Sequence, residues 1–124
     1  MNLQSNKILY WTLTILIALV FMGSAVGKLT ANAESLKMAA NFGLDASTFT
    51  LLGVVELLCV CLFIMPKTGV IGTLLLSAYM GGAIATHLEH GQSIVAPCAI
   101  QTVMLIVAFY RFPELRSTLF NTQS

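Results

Sequence analysis

The chain has 124 residues, of which 57% are apolar and only 9% are charged, and its formal net charge is +1. A soluble globular domain carries about 25% charged residues, so this composition excludes a soluble protein with an ordinary polar surface. The apolar composition also excludes an intrinsically disordered chain, and the small net charge provides no basis for nucleic-acid binding. We therefore expect one integral membrane domain that covers residues 1–124.

Four long apolar segments predict four transmembrane helices. They cover about residues 8–28, 46–65, 69–87 and 92–110, and Glu56 is the only charge in the second. Each is close to the roughly 20 helical residues that cross a bilayer core. The expected fold is an all-α, antiparallel four-helix membrane bundle with up-down-up-down topology. A cleavable signal peptide is the competing interpretation of the first segment, because Lys7 precedes the apolar run and small residues follow it.

The connecting segments carry recognisable turn and cap residues. In the first loop, Asn32 is a good N-cap for a short helix that ends near Asn41, with Gly43 as a left-handed stop. Pro66–Gly69 has the composition of a tight turn between the second and third spans. His87–Gly91 connects the third span to the fourth.

The distribution of basic residues predicts the orientation of the chain. Four basic residues belong to one side of the bundle: Lys7, Lys67, Arg111 and Arg116. Two belong to the other side: Lys28 and Lys37. Because cytoplasmic loops carry the excess of Lys and Arg, both termini are expected in the cytoplasm. The expected location is the inner membrane of a bacterial cell, with the lipid bilayer as the surrounding partner.

Small residues recur at spacings that let transmembrane helices approach closely. Gly23 and Gly27 form a GxxxG pattern. Gly81 and Gly82 each have a small residue four positions before them in the chain. We expect all four glycines to lie at helix–helix contacts. Gly81 and Gly82 could alternatively leave space for a ligand.

Three polar side chains are predicted to lie at the same depth in the bilayer. Counted from the expected cytoplasmic ends of their helices at about 1.5 Å per residue, Glu56, Tyr79 and Gln101 all lie about 14–15 Å deep. A charge at that depth is costly, so Glu56 must face the interior of the bundle, where Tyr79 and Gln101 can donate hydrogen bonds to it. This level is the candidate proton, quinone or substrate site. The alternatives are a structural clasp at Glu56 and interhelical hydrogen bonding by Tyr79 and Gln101.

Lys28 and His87 are the candidate residues at the non-cytoplasmic entrance of that site. The stem of Lys28 can bend inward along Ser24 and Ala25, but a vertical gap of about 10 Å argues against direct contact with Glu56. A water molecule or substrate would then bridge the two groups. Alternatively, Lys28 extends outward to the membrane surface, and His87 is an interfacial residue.

The cysteine and histidine patterns do not predict redox or metal chemistry. Cys59 and Cys61 point to opposite sides of one helix, and Cys98 lies on another helix, too far away for a disulfide. We expect three buried, apolar thiols. His87 and His90 flank Glu89, but the chain has no third histidine, so no metal is expected.

Taken together, several short motifs resemble the DoxX-like family of small bacterial membrane proteins. In chain order they are Gly23–Leu29, Phe42-Gly43, Gly53–Leu57, Met65–Gly69, Tyr79–His87 and Arg111–Pro113. The resemblance covers nearly the whole chain and implies a four-helix integral membrane protein. The best-described relatives are a subunit of an archaeal thiosulfate:quinone oxidoreductase and membrane partners of thiol or oxidative-stress systems. Lys28, Glu56, Tyr79 and His87 fall on recurring family positions, which bring no catalytic role with them.

These observations lead to three functional hypotheses. The first is a non-catalytic or accessory component of a membrane redox system. It would bind a quinone or another small apolar molecule against Glu56, Tyr79 and Gln101 and work with a redox partner protein. The second is a small proton-coupled transporter that uses Glu56. The third is a structural partner subunit that associates through its GxxxG faces. The sequence assigns neither the cofactor nor the oligomeric state.

Overall fold

The computed structural model describes residues 3–120, and side-chain surroundings for residues 7–120. Six helices follow one another along the chain: α1 (Leu3–Leu29), α2 (Ala33–Asn41), α3 (Ala46–Ile64), α4 (Gly69–Glu89), α5 (Val95–Arg111) and α6 (Pro113–Phe120). The described part of the chain contains no β-strand. The predicted all-α class is therefore confirmed.

The four longest helices enclose a common core. α1 packs mainly on α3, α3 on α4, α4 on α5, and α5 returns to α1. These four helices form a ring around a continuous apolar core. The core includes Phe21, Val60, Leu76, Met104 and Val107. The faces turned away from the core are strongly apolar as well, as expected for helices surrounded by lipid.

Three helices are long and apolar enough to cross a membrane, namely α1, α3 and α4. The fourth predicted span ends differently from its prediction. α5 has 17 residues, and the chain then turns by 101° into α6, so α5 and α6 reach the length of a span only when they are taken together. α6 itself was not predicted from the sequence. It begins with proline at its first position, where the missing N–H is not needed.

The predicted short helix in the first loop is confirmed as α2. Asn32 caps it by accepting a hydrogen bond from the Ser35 amide at 2.8 Å, and Gly43 follows it with φ = 67°. Asp45 caps α3 in the same way through the Thr48 amide at 3.1 Å. Hydrogen bonds from Thr48 and Ser47 lower the pKa of the Asp45 carboxyl. These caps fix where the loop enters and leaves the bundle.

The close approaches between the four long helices occur at other glycines than the predicted ones. Nothing lies within 4 Å of the Cβ positions of Gly23, Gly81 and Gly82, and a Cβ on Gly27 would meet only Ser35 and Asn32 of the loop region. No neighbouring helix therefore approaches Gly23, Gly81 or Gly82 within one copy of the chain, whereas Gly27 of α1 lies against Ser35 of α2. GxxxG spacing specifies a small helix face but not which way that face points.

Gly53, Gly69 and Gly72 make the close contacts instead. A Cβ on Gly72 would overlap the backbone of Leu62 and Phe63, and one on Gly69 would overlap the Phe112 ring. Both glycines belong to the first turn of α4, so they bring the start of α4 against the end of α3. This brings the bundle together tightly around Phe63 and Phe112, and we call this region the closed end.

Arg111 is the buried cation of the closed end. Its Nη1 and Nη2 donate to the carbonyl oxygens of Phe63 and Ile64 at 2.9 and 3.0 Å, which satisfies two carbonyls at the C-terminus of α3. Its guanidinium carbon lies 4.7 Å from the Trp11 ring centroid and 4.6 Å from that of Phe112. This arrangement joins the ends of α1, α3 and α5.

The prediction of three buried cysteines is confirmed for Cys59 alone. Cys59 is buried and Cys98 is half-buried, but Cys61 is exposed on the outer face of α3. Two residues of helix turn a side chain by about 200°, so the burial of Cys59 places Cys61 toward the lipid. Cys59, Cys61 and Cys98 are free thiols in this structure.

Candidate functional site

Glu56 is the centre of a buried polar cluster that lies at the middle of α3 and α4 and reaches the C-terminal end of α1 at Lys28. We call this half of the bundle, away from Phe63 and Phe112, the open end. Its Oε2 atom accepts hydrogen bonds from Lys28 Nζ at 2.8 Å, Tyr79 OH at 3.0 Å and Ser24 Oγ at 3.2 Å. Lys28 Nζ also donates to Ser24 Oγ at 2.5 Å. The cluster therefore joins α1, α3 and α4 through one carboxylate oxygen.

The direct contact between Lys28 and Glu56 differs from the expectation of a 10 Å gap. Gly53 lies one turn before Glu56, and a Cβ at that position would lie 2.8 Å from Lys28 Cβ and 3.2 Å from the Ala25 carbonyl oxygen. α1 therefore approaches α3 closely enough for the lysine stem to lie along it. The route past Ser24 is the expected one, whereas a count of rise per residue ignored the length and bending of the side chain.

Burial makes the ion pair energetically demanding. Glu56 is 2% exposed and Lys28 is 9% exposed. Two opposite charges removed from water are tolerated when they are paired and their hydrogen-bonding capacity is used, and here Ser24 and Tyr79 supply further bonds. The Lys28 ammonium also lies 5.3 Å from the centroid of the Phe49 ring, within reach of a cation–π contact. The cluster is thus polar but carries no net charge.

The cluster forms part of the wall of a cavity of about 510 Å³. This volume is in the range of small-molecule sites, which are mainly apolar with a few convergent polar groups. Residues from α1, α2, α3, α4 and α5 line it, and most of them are apolar. The lining consists of Val20, Phe21, Ser24, Lys28, Met38, Phe42, Leu44, Phe49, Leu52, Glu56, Ala78, Tyr79, Met80, Gly82, Ala83, Thr86, His87, Ala96, Pro97 and Ile100.

His87 lies on the cavity wall together with Lys28. Its Nδ1 atom is 2.6 Å from the Ala83 carbonyl oxygen, and its ring centroid is 4.9 Å from that of Phe42 in the α2–α3 loop. Since a carbonyl oxygen only accepts, Nδ1 is the donor in this contact. The loop thus holds the imidazole beside the cavity.

Gln101 is not part of this cluster. It lies outside the cavity lining, and its Oε1 atom is buried with no hydrogen-bond partner in the described part of the chain. Equal depth on two helices does not bring side chains together when they point in different directions around the helix axis. Of the predicted glycines, Gly82 lines the cavity, which agrees with the alternative that it leaves space for a ligand.

Sequence reasoning did not identify Ser24 as a member of the cluster or the aromatic residues Phe42 and Phe49 as part of the wall. Ser24 had a detectable signal, because it precedes Lys28 by four residues and therefore shares its helix face. Phe42 and Phe49 flank the loop between α2 and α3, and their placement depends on tertiary contacts.

The arrangement can hold a neutral ligand by hydrogen bonds while apolar side chains surround the rest of it. The Glu56 Oε1 atom accepts no hydrogen bond from the described residues and is left for a donor on the ligand. Tyr79 OH and Lys28 Nζ are donors that can turn toward a carbonyl oxygen of the ligand. No group of three or more His, Cys, Asp or Glu side chains within the described ranges could hold a metal ion.

Comparison with known proteins establishes the family. The family model described as the DoxX-like family matches residues 12–110, which include all three donors and Glu56. No curated protein and no solved structure matches the chain. On the basis of the family match, this chain belongs to the DoxX-like family.

Proposed function

We propose that this DoxX-like chain is an accessory component of a membrane redox system that binds a quinone or a similar small molecule. One observation carries the proposal: three donors from two helices converge on one Glu56 oxygen at the wall of a largely apolar 510 Å³ cavity. Glu56, Lys28 and Tyr79 are the proposed ligand-binding residues. His87 is proposed to line the entrance, and Gln101 has no support from its position.

The chemistry of the cluster suits both redox states of a quinone. A quinol hydroxyl can donate to Glu56 Oε1, and a quinone carbonyl can accept from Tyr79 OH or Lys28 Nζ. Glu56 can also take up or release the proton that accompanies a change of redox state. None of the twenty residues that line this cavity is a redox cofactor, so the proposed role requires a redox partner protein that exchanges electrons with the bound quinone.

The proposed membrane arrangement completes this picture. We propose a single four-helix transmembrane domain over residues 1–124, with α5 as the fourth span and α6 along the membrane surface. The location is the bacterial inner membrane, and the basic residues favour cytoplasmic termini. The Glu56 cavity then opens toward the non-cytoplasmic side, where α2 and the α2–α3 loop cover part of it.

A proton-coupled transporter that uses Glu56 is the second candidate. The buried ion pair beside a cavity is the observation in its favour. Alternating access would require the closed end to separate, and there Gly72 lies directly against the Phe63 backbone. This contact favours a binding site over a transport path. In vesicles, a transporter would lose the pH dependence of its transport in Glu56→Gln.

The test is the quinone content and quinone affinity of the purified protein. We expect mass spectrometry to find quinone bound to gently purified wild-type protein and to find much less bound to Glu56→Gln. The hydrogen bond from a ligand to a charged group is worth about 1.5–3 kcal/mol, so affinity for an added quinol should fall roughly 10- to 100-fold. Lys28→Met and Tyr79→Phe should weaken binding in the same direction.

Matched controls separate the site from general damage to the protein. Glu89→Gln, Lys37→Met and Tyr110→Phe make the same chemical changes at exposed positions outside the cavity lining. These variants should retain wild-type affinity. Equal quinone content and affinity in wild type, Glu56→Gln and Glu89→Gln would contradict the proposed site and leave Glu56 as a structural clasp.

A further inference from the structure

A second apolar cavity lies beside the first one, along the contact between α1 and α5. Its volume is about 260 Å³. The residues that line it are Leu13, Leu16, Ile17, Val20, Ala99, Ile100 and Val103. Val20 and Ile100 line the larger cavity as well. One apolar surface therefore extends from the Glu56 cluster to the region between α1 and α5, which we call the α1–α5 groove.

The α1–α5 groove faces the surroundings of the protein. Leu16, Val20 and Val103 are 54%, 52% and 41% exposed, so a molecule in the groove would contact both the protein and the membrane lipid. From Val20 to Leu13 the groove follows about two turns of α1, or about 10 Å. Its lining side chains are all apolar, in contrast to the Glu56 cluster above it.

The two cavities together have the polarity profile of an amphiphilic molecule. The polar end lies at a cluster in which the charges of Lys28 and Glu56 cancel, which disfavours a charged head group. The apolar end begins at the shared residues and leads into the bilayer. A small polar ligand would use the larger cavity alone and would leave the adjoining apolar groove unused.

Building on the proposed function, we propose that the ligand is a neutral, tailed amphiphile. Its hydroxyl- or carbonyl-bearing head binds at Glu56, Lys28 and Tyr79, and its hydrocarbon or isoprenoid tail lies in the α1–α5 groove. The ligand enters laterally from the membrane between α1 and α5. This arrangement argues against a water-soluble ligand that enters the cavity only from the side of α2.

The experiment compares two probes that share a head group. They are decylubiquinone and its tail-less parent, 2,3-dimethoxy-5-methyl-1,4-benzoquinone, titrated into protein held in lipid nanodiscs of one composition. Ala99 lines the groove and not the larger cavity, so Ala99→Phe places a ring in the groove. Ala85→Phe is the matched control, because Ala85 is exposed on α4 and lines neither cavity.

Ala99→Phe should weaken decylubiquinone binding about tenfold, the effect of removing roughly two methylene groups from apolar contact. It should leave the affinity for the tail-less probe within about twofold of wild type, and Ala85→Phe should change neither affinity. Tyr79→Phe should weaken both probes.

Two other results would overturn the inference in distinguishable ways. In the first, wild type and Ala99→Phe bind decylubiquinone with equal affinity while Tyr79→Phe still binds it more weakly. This result would contradict a tail site in the groove but would be consistent with the head-group site at Glu56, Lys28 and Tyr79. Such a result would mean that ordinary lipid fills the groove. Failure of wild type to bind either probe above an empty nanodisc would remove the proposed function together with this inference.

Discussion

The two ends of the bundle each bury one cation, and they solve its burial in different ways. At the closed end, Arg111 is satisfied by two backbone carbonyl oxygens and aromatic rings, and it lines neither of the two cavities described above. At the open end, Lys28 is satisfied by the Glu56 carboxylate and forms part of a cavity wall. The difference separates a group that joins helix ends from a group that is available to a ligand.

Arginine and lysine suit these two roles for chemical reasons. The planar guanidinium presents several N–H donors in a fixed fork and stacks on aromatic rings, which matches adjacent carbonyls at a helix end. A lysine ammonium has a flexible stem and rotatable donors, so its hydrogen bonds can be redirected when a ligand binds. We therefore expect substitutions at the closed end to lower the stability of the protein and substitutions at the open end to weaken ligand binding.

The largest effect is expected from filling the close contact at Gly72. In Gly72→Ala the new methyl group overlaps the backbone of Leu62 and Phe63, which cannot move as a side chain can. We expect a loss of about 3 kcal/mol or more in the free energy of unfolding, and little folded protein. Gly82→Ala is the control, because nothing lies within 4 Å of its Cβ position. Folded yield and thermal unfolding in detergent measure both, and equal stability would refute the proposed closed end.

The next effect is expected from Arg111→Leu. The substitution leaves the carbonyls of Phe63 and Ile64 without their charged donors and should cost about 3 kcal/mol of unfolding free energy. Protein that remains folded should bind quinol with nearly wild-type affinity, because Arg111 lies outside the cavity lining. Denaturant-induced unfolding and ligand titration of one preparation check the two parts. A large loss of quinol affinity without a loss of stability would contradict the assignment of Arg111 to a structural role.

A smaller change in stability is expected at Lys28. In Lys28→Met, Glu56 loses its cation but can take up a proton and keep hydrogen bonds to Ser24 and Tyr79, so we expect a loss of about 2 kcal/mol. The double variant Lys28→Met/Glu56→Gln removes both charges and should recover most of that stability. Quinol affinity should stay low in the double variant. Recovery of both properties would mean that the ion pair serves folding only.

The sequence predicted much of the fold because composition and helix breakers act locally. Uncharged segments of nearly 20 residues, the Asn32 cap and the Pro66–Gly69 turn each depend on neighbouring residues alone. The end of α5 was less predictable. Pro113 is compatible both with the end of a span and with the first residue of a new helix. The bend of 101° between α5 and α6 shows that a new helix begins there.

The candidate site was predicted less completely, because depth along a helix is only one of the coordinates that position a side chain. Glu56 and Tyr79 share a depth and meet, whereas Gln101 shares the depth and does not. The contact of Lys28 with Glu56 depends on the close approach of α1 at Gly53, a single glycine outside any GxxxG pattern. Rotation about the helix axis and distance between axes are set by tertiary contacts that no spacing rule contains.

Infrared difference spectroscopy of ligand binding tests the central claim most directly. Addition of a quinol to wild-type protein should shift the carboxylate stretching band of one buried side chain, and the shift should disappear in Glu56→Gln. Glu89→Gln and Arg111→Leu should retain it. A wild-type spectrum without a carboxylate change on saturation with quinol, or a change that persists in Glu56→Gln, would contradict the assignment of the open end as the ligand site.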